Sequence, residues 1–304
     1  MNIDLSVKIG NILMQNPLTT ASGTFGQGDI FKPFYDINIL GALTTKSVTV
    51  NLRKGNPPPR IAETTAGYLN SIGLQNPGIK LFIEKYKTYF QGLKTNAIVS
   101  IAGNTVEEYA LLAEKITNEL DVQGIEINIS CPNVAEKGLQ FASSPEAAYK
   151  VVKAVKNATN LTLITKLTPN TENNIDVALA CIEAGSDAIA IMNTLKGMAI
   201  DLEKRKPLLA NIIGGFSGPA VKPVALRWVY ELAKKITKPI IAMGGISSSQ
   251  DALEFIVCGA TAISIGTANF FNPQIIPEII TGMQEWLQQH EIQNIQDLKN
   301  TLII

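Results

Sequence analysis

The chain has 304 residues, 46% of them hydrophobic, with 26 basic and 26 acidic side chains and a formal net charge of zero. That is ample apolar material for a large core, and the neutral balance excludes the basic footprint of a nucleic-acid or anionic-membrane binder. Apolar runs of strand length only, no signal pattern at the N-terminus, and three cysteines without paired spacing exclude a spanning helix, a disulfide framework and a cysteine metal cluster, and point to a reducing cytosol.

In chain order, residues 5–14 read as a hairpin turning at Ile9-Gly10-Asn11. A strand is expected at 18–22, a helix at 29–36 and a second strand at 42–45, closed by Lys46. Residues 46–76 form a long stretch rich in Gly, Pro and Asn, and loops of that length inside a compact domain are usually functional. A helix at 77–90 and a strand at 97–100 follow. The alternation then becomes regular. Helices are expected at 105–118, 145–156 and 173–184, interleaved with strands at 124–130, 161–166 and 188–192. A second long loop spans 193–218. Helix 219–236, strand 239–242, helix 248–257, strand 260–265 and helix 274–289 complete the chain.

Eight short apolar strands, each followed by a helical segment, imply parallel pairing and an α/β fold, a closed (β/α)8 TIM barrel over 1–304 with an N-terminal β-hairpin and long active-site loops. An open doubly wound sheet is the rival arrangement. No break suggests a second domain. A barrel of this kind carries its chemistry at the C-terminal ends of the strands. The residues there are Ser22, Lys46, Ser100, Asn128 with Cys131, Lys166, Asn193 with Thr194, Gly244 with Gly245, and Gly266 with Thr267. Nearly all are polar or glycine, after strands that are nearly all apolar.

The fourth of these ends is the densest. In Glu126-Ile-Asn-Ile-Ser-Cys-Pro-Asn133 polar residues alternate with isoleucines until Pro132 stops the ladder. Cys131 sits where strand becomes loop, with Asn128, Ser130 and Asn133 around it. By itself this reads either as a small buried cysteine or as a reactive thiol. Cys181 and Cys258 fall on apolar helix faces and read as structural. Met243-Gly-Gly-Ile246 and Ile265-Gly-Thr267 place glycines after the seventh and eighth strands, the corner where such barrels often hold phosphate, although ordinary tight turns look the same. Lys166 closes a strand whose inward face leads into the barrel mouth. A cation there suits the negative charge of a reduced flavin, while a solvated lysine is the plainer reading. No Gly-x-Gly-x-x-Gly follows any strand, so there is no dinucleotide fingerprint. The one histidine, His290, lies in a polar tail, which argues against a histidine triad and against a metal site.

Taken together, Thr45-Lys-Ser-Val-Thr49, Lys54-Gly-Asn-Pro-Pro-Pro-Arg60, Leu69-Asn-Ser-Ile-Gly-Leu-Gln-Asn-Pro-Gly78, the strand end at Cys131, Asn193-Thr-Leu-Lys-Gly-Met198 and Gly214-Gly-Phe-Ser-Gly-Pro219 resemble the dihydroorotate dehydrogenases over residues 3–290. The forms Pro57-Pro-Pro-Arg-Ile-Ala-Glu-Thr64 and Ile72-Gly-Leu-Gln-Asn-Pro-Gly78 look most like the cytosolic, NAD-linked (B-type, class 1) catalytic subunit. The resemblance implies FMN-dependent oxidation of (S)-dihydroorotate to orotate in de novo pyrimidine synthesis, with Cys131 as general base. It implies FMN held by Ser22, Lys46, Ser47, Asn128, Lys166 and Met192, and by Gly218, Gly244, Gly245, Gly266 and Thr267. Ser100 stands at a further FMN position where the family usually has Asn, so that contact is expected to be shorter or water-mediated. The substrate would be held by Lys46, by the run Asn70, Ser71, Ile72, Gly73 and Leu74, and by Asn128, Asn193 and Thr194. The loop 134–142 carries fewer glycines than is common after this cysteine. Three cysteines cannot build a four-thiolate cluster, so FAD and an iron–sulfur cluster are expected on a separate electron-transfer subunit, joined to a homodimer of this chain in a heterotetramer. Fumarate-linked oxidation, a related flavin barrel acting on another dihydropyrimidine or on dihydrouridine, and a non-redox barrel binding a phosphorylated metabolite are the competing readings.

Overall fold

Eight parallel strands close on themselves in the computed structural model, which describes residues 3–130 and 138–304, the side chains of 138–140 excepted. In chain order they are Leu18–Thr20, Ala42–Thr44, Asn96–Ile101, Gly124–Asn128, Thr162–Lys166, Ala188–Ile191, Ile240–Met243 and Ala262–Ile265. The last pairs back onto the first through Ile263 and Leu18. Closure decides for the (β/α)8 barrel and against the open sheet. Both faces of most strands are buried, one against the barrel interior and one against helices, which is why they are rich in Ile, Val and Ala.

The helices that cover the barrel start where local chemistry starts them. Thr105 accepts from the Glu108 N–H and caps Val106–Glu119, whose Tyr109, Leu112, Ala113 and Ile116 form the buried stripe. Ser144 and Ser248 cap Pro145–Ala158 and Ser249–Val257 in the same way. Each cap contributes about 1 kcal/mol. The expected hairpin is Val7–Ile9 paired with Ile12–Met14. It closes the floor of the barrel: Ile9, Ile12 and Met14 are buried, and the Asn11 N–H donates to Thr162 Oγ1 at 3.1 Å.

Two regions depart from the sequence reading. No α-helix covers 29–36; the chain makes two 3₁₀ turns, Asp29–Phe31 and Ile37–Ile39. Pro33 would stand inside that helix, lacking the N–H and clashing with the preceding turn. The two long loops are not irregular. Ile61–Thr64, Gly67–Asn70, Ile213–Ser217 and Leu195–Met198 form one antiparallel sheet that joins both loops above the barrel mouth.

Candidate active site

The strand-end residues converge as the barrel requires. Lys166, only 4% exposed, donates from Nζ to Ser22 Oγ at 3.0 Å, tying the fifth strand to the end of the first. Among the described residues no carboxylate stands within ion-pair distance of it. Lys46 is half-buried, and its backbone N–H is held by Gly26 O at 3.0 Å. Burial, and then the nearby Arg60 guanidinium, push the Lys46 pKa below the usual lysine value. Two cations that disfavour one another at one place make a site for an anion.

Between these lysines runs a chain of polar side chains. Asn193 Nδ2 donates to Ser130 Oγ at 2.8 Å, and Ser130 Oγ to Asn128 Oδ1 at 2.8 Å. Asn128 Nδ2 donates to Ser47 Oγ at 3.2 Å, and Ser47 and Ser100 share a 2.8 Å hydroxyl contact. Ser100 Oγ ends the chain on Glu126 Oε1 at 2.8 Å. From outside the barrel the Tyr109 hydroxyl donates to Asn128 O at 2.9 Å, anchoring the strand end. The side chain at position 100 thus faces a carboxyl group and Ser47.

The loop residues arrive through the antiparallel sheet. Asn70 lies opposite Gly215, with Nδ2 donating to Gly215 O at 3.2 Å, and an added Cβ at Gly215 would collide with Thr194 Oγ1. Asn70 and Thr194, 124 positions apart in sequence, therefore meet across one glycine. The rest of the run is clamped from 53–60: Asn56 Nδ2 donates to Ser71 Oγ at 2.8 Å, the Ser71 N–H to Arg60 O at 2.7 Å, and the Asn56 N–H to Ile72 O at 3.1 Å. Leu74 has a left-handed backbone, φ 55°, and Asn76 Nδ2 binds its carbonyl at 2.7 Å. Asn170 Nδ2 holds Thr194 O at 3.0 Å, and the Thr194 N–H rests on Asn193 Oδ1 at 2.8 Å.

At the glycine corner, Gly245 has φ +75°, and a Cβ there would lie 2.6 Å from Lys222 N. Only glycine fits, because the cradle at this turn is formed by close backbone approach to Lys222. Thr267 Oγ1 donates to Ser217 Oγ at 2.8 Å, beside Gly218, so the second long loop reaches the eighth strand end. Met192 is buried under Gly244. A cavity of about 470 Å³ between residues 32–38 and 88–93 holds none of these groups.

The cradle, the buried Lys166 without a carboxylate and the amides of Asn128 and Asn193 fit a flavin mononucleotide. Among the described residues no cluster of three His, Cys, Asp or Glu could hold a metal. Cys131 lies outside the described residues, as do 134–137 of the loop after it. Sequence reasoning missed Glu126, Arg60, Asn170 and Ser217. Arg60 and Ser217 lie within the family-like loop motifs, Glu126 carried a signal as a charged residue at an inward position of a barrel strand, and Asn170 carried none.

Comparison with known proteins gives the family. A family model described as dihydroorotate dehydrogenase matches residues 4–287. The dihydroorotate dehydrogenase B (NAD(+)) catalytic subunit of Geotalea uraniireducens is 48% identical over 300 residues, covering 99% of this chain and 98% of that protein. Proteins of the same description from Geobacter metallireducens and Desulforamulus reducens are 50% identical over 299 residues and 51% over 298, each covering 98% of both chains.

Proposed function

The chain belongs to the dihydroorotate dehydrogenase family, and on that premise we propose that it oxidises (S)-dihydroorotate to orotate for de novo pyrimidine (UMP) synthesis, as one FMN-binding domain over 1–304. It is an oxidoreductase. The observation that carries the FMN reading is Lys166, buried at the barrel mouth without a carboxylate among the described residues and hydrogen-bonded to Ser22. Burying such a cation is costly unless something anionic meets it.

Oxidation removes a proton from C5 of dihydroorotate and a hydride from C6. FMN, when bound, supplies the hydride acceptor. Cys131 takes the C5 proton on Sγ as thiolate. Lys46, with Arg60 beside it, binds the substrate carboxylate. Asn70, Asn128, Asn193 and Thr194 orient the ring through its carbonyl and N–H edges without adding charge, and the run from Ser71 to Leu74 walls it in. Lys166 would hold its ammonium toward the flavin, where a buried cation would favour the reduced, negatively charged ring. Ser22, Ser47 and Met192 would line the ring, while Ser100, fully buried with its hydroxyl between Ser47 and Glu126, would lie behind them. Gly218, Gly244, Gly245, Gly266 and Thr267 would receive the phosphate.

Electrons then have to leave. The relatives are named as catalytic subunits of NAD(+)-linked enzymes, and this chain has no dinucleotide fingerprint of its own. A separate subunit with FAD and an iron–sulfur cluster carries electrons on to NAD. Met198, Ile200, Leu202 and Ile213, all more than half exposed on the loop excursion, suit the contact of a homodimer. Among the described residues no helix is long and apolar enough to cross a membrane; the cytoplasm is the place of action we assign. Expressed without partners, the chain bleaches its flavin with dihydroorotate and reduces artificial acceptors fast but NAD poorly. Rapid NAD reduction by the isolated chain would remove the need for a partner, and rapid fumarate reduction would move the protein to the fumarate-linked subclass.

A further inference from the structure

We infer that Glu126 is a positioning residue that sets the direction of the hydrogen-bond chain in the site and so decides which face of each amide meets the ligand. The inference rests on the reading above that Asn128 and Asn193 contact the substrate. Glu126 is 3% exposed at the centre of the fourth barrel strand, opposite Ser100 and Ile164 in register. Among the described residues no cation lies within ion-pair distance of it. A carboxyl group buried this way is expensive, and packing alone does not call for it.

The role follows from counting protons. A serine hydroxyl has one proton to donate. Ser100 gives its proton to Glu126 Oε1. In the Ser47–Ser100 contact, whose direction is otherwise open, Ser47 must then be the donor. Ser47 has no proton left and accepts from Asn128 Nδ2. Asn128 Oδ1 is thereby turned to Ser130, whose backbone N–H and hydroxyl both donate to it, at 3.2 and 2.8 Å. Ser130, its proton used, accepts from Asn193 Nδ2, and Asn193 Oδ1 takes the Thr194 N–H. Every bond runs toward Glu126, the terminal acceptor. Bonds aligned this way also strengthen one another.

The consequence is chemical. Asn128 and Asn193 each keep one Nδ2–H without a partner among the described residues, while Asn128 Oδ1 accepts two bonds and Asn193 Oδ1 accepts the Thr194 N–H. The site therefore offers donors, which select a ligand edge rich in carbonyl or carboxylate oxygen. Without an acceptor at its end the hydroxyl chain can reverse and turn carbonyl oxygens to the ligand. Ser100 suits the role because its single proton transmits direction.

The test compares Ser100→Ala, Glu126→Leu, Glu126→Gln and Asn193→Ala holoenzymes. Flavin content, orotate Kd from the flavin absorbance change, and the rate of flavin reduction at saturating dihydroorotate are measured for each. Ser100→Ala and Glu126→Leu raise the orotate Kd about tenfold, about 1.4 kcal/mol, with flavin retained and the saturated rate within about threefold of wild type. Glu126→Gln, whose Oε1 still accepts from Ser100, returns most of the affinity. A purely structural Glu126 would lower stability without this split between affinity and rate. Should Glu126→Leu not fold, Ser100→Ala keeps the carboxyl group and the core volume and decides alone. Wild-type orotate affinity in Ser100→Ala, or a Gln variant as weak as a folded Leu variant, overturns the inference while Asn193→Ala still weakens binding. Unchanged affinity in Asn193→Ala overturns the substrate-contact reading and the inference with it.

Discussion

Replacing Gly245 by alanine tests the cradle directly. An L-residue held at φ +75° sits in the left-handed region, which costs about 1–2 kcal/mol. The new Cβ would lie 2.6 Å from Lys222 N and 2.8 Å from Lys222 Cα, so backbone has to move. Forcing a methyl group into packed structure costs about 1–3 kcal/mol. Lys222 cannot yield easily, since its Nζ is held by Asp251 at 2.7 Å and Glu254 at 2.9 Å at the start of Lys222–Ala233. The two terms sum to about 2–5 kcal/mol. The expected outcome is a loss of that size in equilibrium urea unfolding, with FMN affinity falling at least tenfold because the turn that faces the phosphate is displaced. Gly92→Ala is the control: Gly92 has φ −91°, an added Cβ meets nothing nearer than 3.7 Å, and the change should stay within about 1 kcal/mol. A Gly245→Ala protein with wild-type stability and wild-type FMN affinity would refute the reasoning.

Cys131→Ser should keep FMN and slow flavin reduction by roughly 10²–10⁴-fold, the usual contribution of a general base; wild-type bleaching in a single-turnover mixing experiment contradicts the assignment. Lys166→Ala should weaken FMN binding and lower the flavin reduction potential, because the cation favours the reduced, negatively charged ring; an unchanged potential by spectroelectrochemical titration rejects that role. Burial and then Arg60 lower the Lys46 pKa from 10.5, so the stability this group contributes is present above 10.5 and is lost as pH falls through the lowered value. A bound carboxylate favours the charged lysine, so orotate affinity should decline as pH rises through that lowered value, before pH 10.5. Arg60→Gln removes the smaller cause and should move the decline upward; calorimetric titration with orotate across pH reads it, and a decline confined to pH 10.5 and above counts against the site.

Much of this protein was legible without coordinates because its signals are local. The β-then-α alternation implies parallel strands, parallel strands in this number close, and closure brings Ser22, Lys46, Asn128, Lys166 and Asn193 to one rim whatever the helices do in detail. Caps such as Thr105 and Ser144 act within a few residues and are read within a few residues. Pro33 is an equally local signal, and it keeps 29–36 from forming an α-helix.

What only the tertiary structure decided are pairings between remote segments. Leu69-Asn70 and Gly215-Phe216 carry no alternation that marks them as strands, and 145 positions separate Asn70 from Gly215. They become strands because each satisfies the other's backbone groups, and that is how Asn70 reaches Thr194. Glu126 is the same case at the level of one side chain. Its sequence position marks it as polar in a core strand, but its meaning lies in Ser100, Ser47 and Asn128, contributed by three different barrel strand ends. A hydrogen-bond direction belongs to the whole chain of partners, so no window of sequence contains it.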